Sequence, residues 1–205
     1  AAGCGSDKDK TTETEPGSQT EQNADSSGET TLSAPASQAA GDPAPAAPSK
    51  PRVLIKTSLG DIIVELNPEK AVVTVQAFTD NVKAGYYDNT IFHQVSKDYV
   101  VIGGSFTPEL VEKAERLSFY NEARGGMSNV RGTIAMSRQS HEKGSATCQF
   151  FFNLADNSSN LDHKESPDGE TTDQDYGYCV FGTVVEGMES VVDRIGNVKV
   201  HDQGD

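Results

Sequence analysis

Two short apolar runs constrain this chain most: Gly132-Thr133-Ile134-Ala135-Met136-Ser137 and Cys148-Gln149-Phe150-Phe151-Phe152-Asn153, with a polar loop from Arg138 to Thr147 between them. Both are rich in β-branched and aromatic residues and bounded by polar segments, which predicts strands. A strand sends alternate side chains to opposite faces of its sheet. Gln149, Phe151 and Asn153 then share one face, and Phe150, Phe152 and Leu154 share the other. An amide beside an aromatic ring suits peptide binding, the amide holding backbone and the ring taking a flat apolar side chain. On these residues alone, a satisfied polar side chain at a sheet edge explains Gln149 more economically.

The segments around these runs point to more strands. Val53–Thr57 and Ile62–Leu66 flank Ser58-Leu59-Gly60-Asp61, which reads as a hairpin with glycine in the turn. Asn67-Pro68 then ends a strand and opens a helix, Asn as cap and Pro in the first turn. Val75, Phe78, Thr79 and Val82 form its apolar stripe, and Gly85 stops it. Ile91-Phe92-His93-Gln94-Val95, Tyr99-Val100-Val101-Ile102 and the run from Tyr178 to Val185 predict strands. Met188, Val191, Val192 and Ile195 have the spacing of a second short helix. Residues 105–129 read as loop. Residues 157–176 read as a solvated loop whose six carboxylates (Asp162, Glu165, Asp168, Glu170, Asp173, Asp175) lack the EF-hand spacing, so no metal is expected. Seven or so strands with two helices predict a mainly β fold, a barrel or sandwich with helices at its ends.

Composition divides the chain near residue 50. Residues 1–50 are dominated by Ser, Thr, Ala, Pro, Gly and acids, too few apolar groups to offset the entropy of ordering, so a disordered tether is expected there and one domain over residues 51–205. The net charge is −14. The tether carries 8 acids and 3 bases, which leaves 23 acids and 14 bases in the domain. Such a surface is repelled by phosphate backbones, which argues against nucleic-acid binding. Ala1-Ala2-Gly3-Cys4 resembles the end of a bacterial lipoprotein signal, where small residues precede a Cys that becomes lipidated. That likeness implies an extracytoplasmic domain held to the bacterial cell membrane through Cys4. Cys148 and Cys179 each open a strand. If those strands pair antiparallel, the thiols lie at opposite ends, so no disulfide is expected.

At Ile91-Phe92-His93-Gln94-Val95, Gly103-Gly104-Ser105-Phe106-Thr107, Gly132-Thr133-Ile134-Ala135-Met136, Gln149-Phe150-Phe151-Phe152-Asn153 and Val180-Phe181-Gly182-Thr183-Val184-Val185-Glu186-Gly187-Met188 the chain resembles the cyclophilins, peptidyl-prolyl cis-trans isomerases. The likeness runs in order from about Val53 to about Val200. It implies a closed antiparallel β-barrel of about eight strands capped by two helices. It also implies rotation about X–Pro bonds without nucleophile, metal or cofactor. The expected partners are proline-containing segments of exported proteins, met by a monomer.

Carried over by position, the resemblance makes His93 and Gln94 the catalytic pair, with Gln94 where the family has an arginine. Tyr99 replaces the pocket Phe, Val100 a Met, and Ile102 a Gln that helps position arginine and substrate. Met136 matches a groove residue, and Ser137 and Arg138 follow it where the family meets peptide. Gln149 and Phe151 match the peptide-binding Gln and the proline-pocket Phe. Asn160 falls near a Trp position with Leu161 after it, and Tyr178 takes a rim His. The resemblance thus leaves the proline pocket partly kept and the electrostatics weakened, which implies slow isomerase activity. Arg138 is the candidate to supply the missing cation from the next loop, with a solvated loop arginine the plainer reading. The alternative function is a proline-peptide-binding chaperone or adhesin without catalysis, and a third is a scaffold acting through the acidic 157–176 loop. The family has a further strand after the segment near Val198, and the polar residues to Asp205 hold no run for it. A missing last strand and a sequence truncated at both ends are therefore expected.

Overall fold

The chain folds back on itself at Ser58-Leu59, setting β1 (Arg52–Thr57) antiparallel to β2 (Gly60–Leu66) with Thr57 opposite Gly60. The computed structural model describes residues 50–114 and 116–201. The tether, with Cys4, lies outside the described residues. Five more strands follow: β3 (Phe92–Ser96), β4 (Val100–Gly103), β5 (Thr133–Met136), β6 (Phe150–Asn153) and β7 (Val180–Glu186). They join in one seven-stranded sheet of order β1-β2-β7-β5-β6-β4-β3, every pair antiparallel. The mainly β expectation thus holds. β1 and β3 are the two edges, and closure by an eighth strand is not seen among the described residues. Between those edges runs a groove of about 980 Å³ lined by Ile55, Phe78, Phe92, Val95, Phe150 and Val198, among others.

The period of two along β6 decides which residues form the core. Phe150, Phe152 and Leu154 enter the main core with Phe78, Phe181 and Ile134, while Phe151 joins a separate cluster on the opposite face. Phe78 and Phe150 meet edge to face at 5.7 Å, and Phe78 and Phe181 lie 4.9 Å apart, spacings at which aromatic pairs add attraction beyond area burial.

Helix α1 (Val72–Lys83) covers that core and departs from the sequence expectation at both its start and its stripe. The carbonyl of Asn67 accepts from the nitrogens of Lys70 and Ala71, so Asn67-Pro68 forms a turn ahead of the helix. The capping group is Glu122, whose carboxylate accepts from Val73 N at 3.1 Å and Thr74 N at 2.8 Å. An anion there satisfies orphan amides and opposes the helix dipole. The buried stripe is Thr74, Val75, Phe78 and Asn81, and Val82 is 38% exposed. The second expected helix begins as a π-helical turn over Met188–Val192 and continues as α3 (Asp193–Gly196), with Met188, Val191, Val192 and Ile195 all buried. Gly187 enters it at φ +93, where an added Cβ would lie 2.5 Å from the Asp61 carbonyl, so only glycine fits. A third helix, α2 (Ser158–Leu161), forms inside the segment expected to be loop.

Cys148 and Cys179 are both buried free thiols. Their strands are not neighbours, because β5 lies between β6 and β7, which corrects the pairing supposed above.

Candidate functional site

Sheet register carries five residues into one row across five strands. Gln94 of β3 faces Ile102 of β4, Ile102 faces Phe151 of β6, Phe151 faces Ala135 of β5, and Ala135 faces Val180 of β7. Residues directly opposite in neighbouring strands point to the same face. This is the face away from the main core. Phe151, Val100, Leu161, Ala135 and Val180 form a small buried cluster on it, with Tyr99, Ile102, Met127 and Tyr178 packed around them and partly exposed. The Tyr178 ring meets Phe151 edge-on, centroids 5.7 Å apart at 79°.

The β3 end of this row carries no charge. Gln94 is exposed on edge strand β3. The ladder slips between Phe92 and Gln94, a bulge that leaves His93 unpaired and re-aims it. The His93 ring packs 4.6 Å from Phe106, and its Nδ1 is buried without a hydrogen-bond partner. Burial lowers its pKa from the ordinary histidine value, which favours the neutral ring.

Met136 does not belong with these residues. It is Cα-paired with Phe150 and is 2% exposed in the main core. The alternation that brings Ala135 to the Phe151 face turns Met136 inward, so its expected place along a groove is corrected. Ser137 and Gln149 are partly buried just beyond the paired strands, where Ser137 N donates to Gln149 O at 2.8 Å. Asn160 is exposed and Leu161 is buried in the Phe151 cluster.

Arg138 is neither a solvated loop residue nor a free cation. It is 9% exposed, and its guanidinium donates to the carbonyls of Gly177, Gln139, Ser140 and Asp173. Its Cζ lies over the Tyr178 ring, 4.6 Å from the centroid. Burial lowers its pKa, with Tyr178 and Asp173 acting the other way. Arginine remains charged even so.

Sequence reading missed the polar support beneath the cluster. Asn129, Asn153 and Asn157 are at most 4% exposed. Asn129 Nδ2 donates to the carbonyls of Leu161 and Tyr178 and to Asp162 Oδ1. Asn153 Nδ2 donates to Asn129 Oδ1 and Thr133 Oγ1, and Asn157 Nδ2 donates to Asn153 Oδ1 and the Tyr99 carbonyl. The backbones of Tyr99, Leu161 and Tyr178, three residues around Phe151, are thus tied to one network. Asn153 carried a signal, a polar residue closing an aromatic strand on the Phe151 face. The contribution of Met127, which bridges to Val180 from a long loop, had none.

The arrangement offers an apolar aromatic surface, backbone groups and a neutral amide. Among the described residues no cluster of three or more His, Cys, Asp or Glu side chains is placed to hold a metal ion.

Residues 52–205 match the family model described as cyclophilin type peptidyl-prolyl cis-trans isomerase/CLD. The chain is 46% identical over 162 residues to peptidyl-prolyl cis-trans isomerase A of Dickeya dadantii, covering 79% of this chain and 80% of that protein. It is 42% identical over 146 residues to peptidyl-prolyl cis-trans isomerase B of Escherichia coli, covering 71% and 84%. In fold it is similar to a Cryptosporidium parvum cyclophilin-type isomerase solved in the presence of the dipeptide Ala-Pro, with TM-score 0.56 at 24% identity over 72% of this chain and 85% of that one. The chain therefore belongs to the cyclophilin-type peptidyl-prolyl cis-trans isomerases.

Proposed function

We propose that this protein is a slow isomerase of X–Pro bonds in exported proteins, working on the Phe151 face and tethered by lipid at Cys4. The observation that carries the reading is the row Gln94–Ile102–Phe151, an aromatic platform ending in an uncharged amide. Rotation about a peptide bond must break amide resonance, a barrier of about 18–20 kcal/mol. A surface that fits the twisted peptide better than either planar isomer lowers that barrier. Phe151, with Tyr99, Leu161 and Tyr178 around it, supplies apolar contact for a proline ring. Gln149 and the backbone around Ser137 supply polar contact for the flanking peptide.

As the bond twists, the prolyl nitrogen becomes pyramidal and gains a lone pair. A donor aimed at that lone pair stabilises the twisted state and leaves the planar one unaffected. Gln94 is the donor at that position in the family likeness. A neutral donor is roughly half as strong as a charged one. Ile102, its cross-strand neighbour, has no polar atom to orient it. Both features favour slow turnover.

The second reading is a proline-peptide holdase or adhesin that binds without catalysis. The same two residues, Gln94 and Ile102, favour it. We also infer that the groove between β1 and β3 is where a further strand closes the barrel, because two strand edges left unpaired among the described residues flank it and apolar side chains such as Ile55, Phe92 and Val95 line it.

A protease-coupled assay on a proline tetrapeptide, run beside Gln94→Arg, tests the first reading. Slow catalysis raised by the substitution supports it. Fast wild-type catalysis lowered by Gln94→Arg overturns it, and binding with no acceleration in either protein selects the holdase.

A further inference from the structure

Arg138 joins two segments that no strand or helix connects. Its Nη1 donates to the carbonyls of Gln139 at 2.8 Å and Ser140 at 3.3 Å, within its own loop. Its Nε donates to Gly177 O and its Nη2 to Asp173 O, both at 2.8 Å, in the segment that leads into β7. Four of the five N–H donors of a guanidinium are thereby committed to backbone. The Asp173 carboxylate turns instead toward Lys143, 3.9 Å away, so the cation is held by carbonyl dipoles. The chain bends tightly at Gly177, with φ +79 and the His163 backbone against the place of a Cβ. The residue after that bend is Tyr178, whose ring lies under the guanidinium carbon on one contact and edge-on to Phe151 on another.

We propose that Arg138 is a positioning residue, one that sets the rim of the peptide face by clamping residues 173–178 and fixing the Tyr178 ring against Phe151. It acts through Tyr178 and does not touch the peptide. The proposal rests on the proline-peptide reading of that face. The planar fork is what the task needs, because it reaches carbonyls on both sides while keeping one flat surface for the ring. A lysine places a single nitrogen and cannot span the same carbonyls.

The test uses Arg138→Lys and Arg138→Gln, each alone and with Tyr178→Ala. Aromatic NMR follows Tyr178 and Phe151, with Phe78 and Phe181 reporting on the inner core. Titration with the tetrapeptide Ala-Ala-Pro-Phe measures affinity. Both single variants are expected to move the Tyr178 and Phe151 resonances while Phe78 and Phe181 stay in place. They are expected to weaken the tetrapeptide about tenfold, roughly 1.4 kcal/mol, with no added loss once Tyr178 is alanine. Should the glutamine variant lose its core signals, the lysine variant, which keeps charge and bulk, still gives the answer. Unmoved Tyr178 and Phe151 signals overturn the proposal. So does an equal loss of affinity in both backgrounds, since Arg138 would then contact the peptide itself. If wild type binds no tetrapeptide while Tyr178 moves as described, the clamp stands and the isomerase reading falls.

Discussion

Glu122 Oε2 lies 2.8 Å from both the backbone nitrogen and the hydroxyl of Thr74, so one loop carboxylate closes the N-terminus of α1 and satisfies a fully buried side chain. Replacing a capping side chain with alanine costs about 0.5–2 kcal/mol. Glu122→Ala also leaves the Thr74 hydroxyl without this partner, which places the expected loss near the upper end. Urea unfolding of the two proteins measures it, and an unchanged midpoint would show that the cap contributes nothing.

Gln94→Arg is expected to raise kcat/KM. Removing one preorganised donor elsewhere costs about 10²–10³ in rate, which sets the scale of the possible gain. Ile102 supplies no hydrogen bond to orient the new guanidinium, so the single change should give less than that full range. The double change Gln94→Arg with Ile102→Gln should exceed it. Steady-state rates on a proline tetrapeptide decide the order.

Asn153→Ala should destabilise the fold and loosen the peptide face together. The substitution removes bonds to Asn129, Thr133 and Asn157 at a site with no exposure. A buried polar group left unpaired costs about 1–3 kcal/mol. Because the network also holds the Tyr99, Leu161 and Tyr178 backbones, amide hydrogen exchange should quicken there before it does in β2. Uniform exchange across the sheet would contradict that link.

His93 should make stability fall in mild acid. Burial lowers its folded-state pKa below the unfolded value of about 6.5. Above that unfolded value both states are neutral and the histidine costs nothing. As pH falls through it, the unfolded chain takes up a proton that the folded chain resists, so stability is lost. Denaturant unfolding between pH 8 and 5 should therefore show a shallower decline in His93→Gln than in wild type. Parallel curves would remove His93 as the cause.

Much of the scaffold was legible because strands and turns are local. Period-two alternation in β6 assigned Phe150, Phe152 and Leu154 to one face and Phe151 to the other, and the clusters follow it. The same rule, applied to β5, sends Met136 to the core, away from the residues it was grouped with by likeness. The stripe on α1 was displaced because two buried polar residues, Thr74 and Asn81, find hydrogen-bond partners in Glu122 and in Tyr87 and Arg116.

Residue order alone therefore settled the strands, the hairpin at Ser58-Leu59, the faces of β6 and the family likeness, each written in neighbours a few positions apart. Folding in three dimensions decided what lies far apart in the chain. It set Glu122 on a helix 48 residues away and bound Arg138 to carbonyls 35 and 39 residues on. A carbonyl acceptor belongs to every residue alike, so nothing in the local pattern marks which ones a guanidinium will meet.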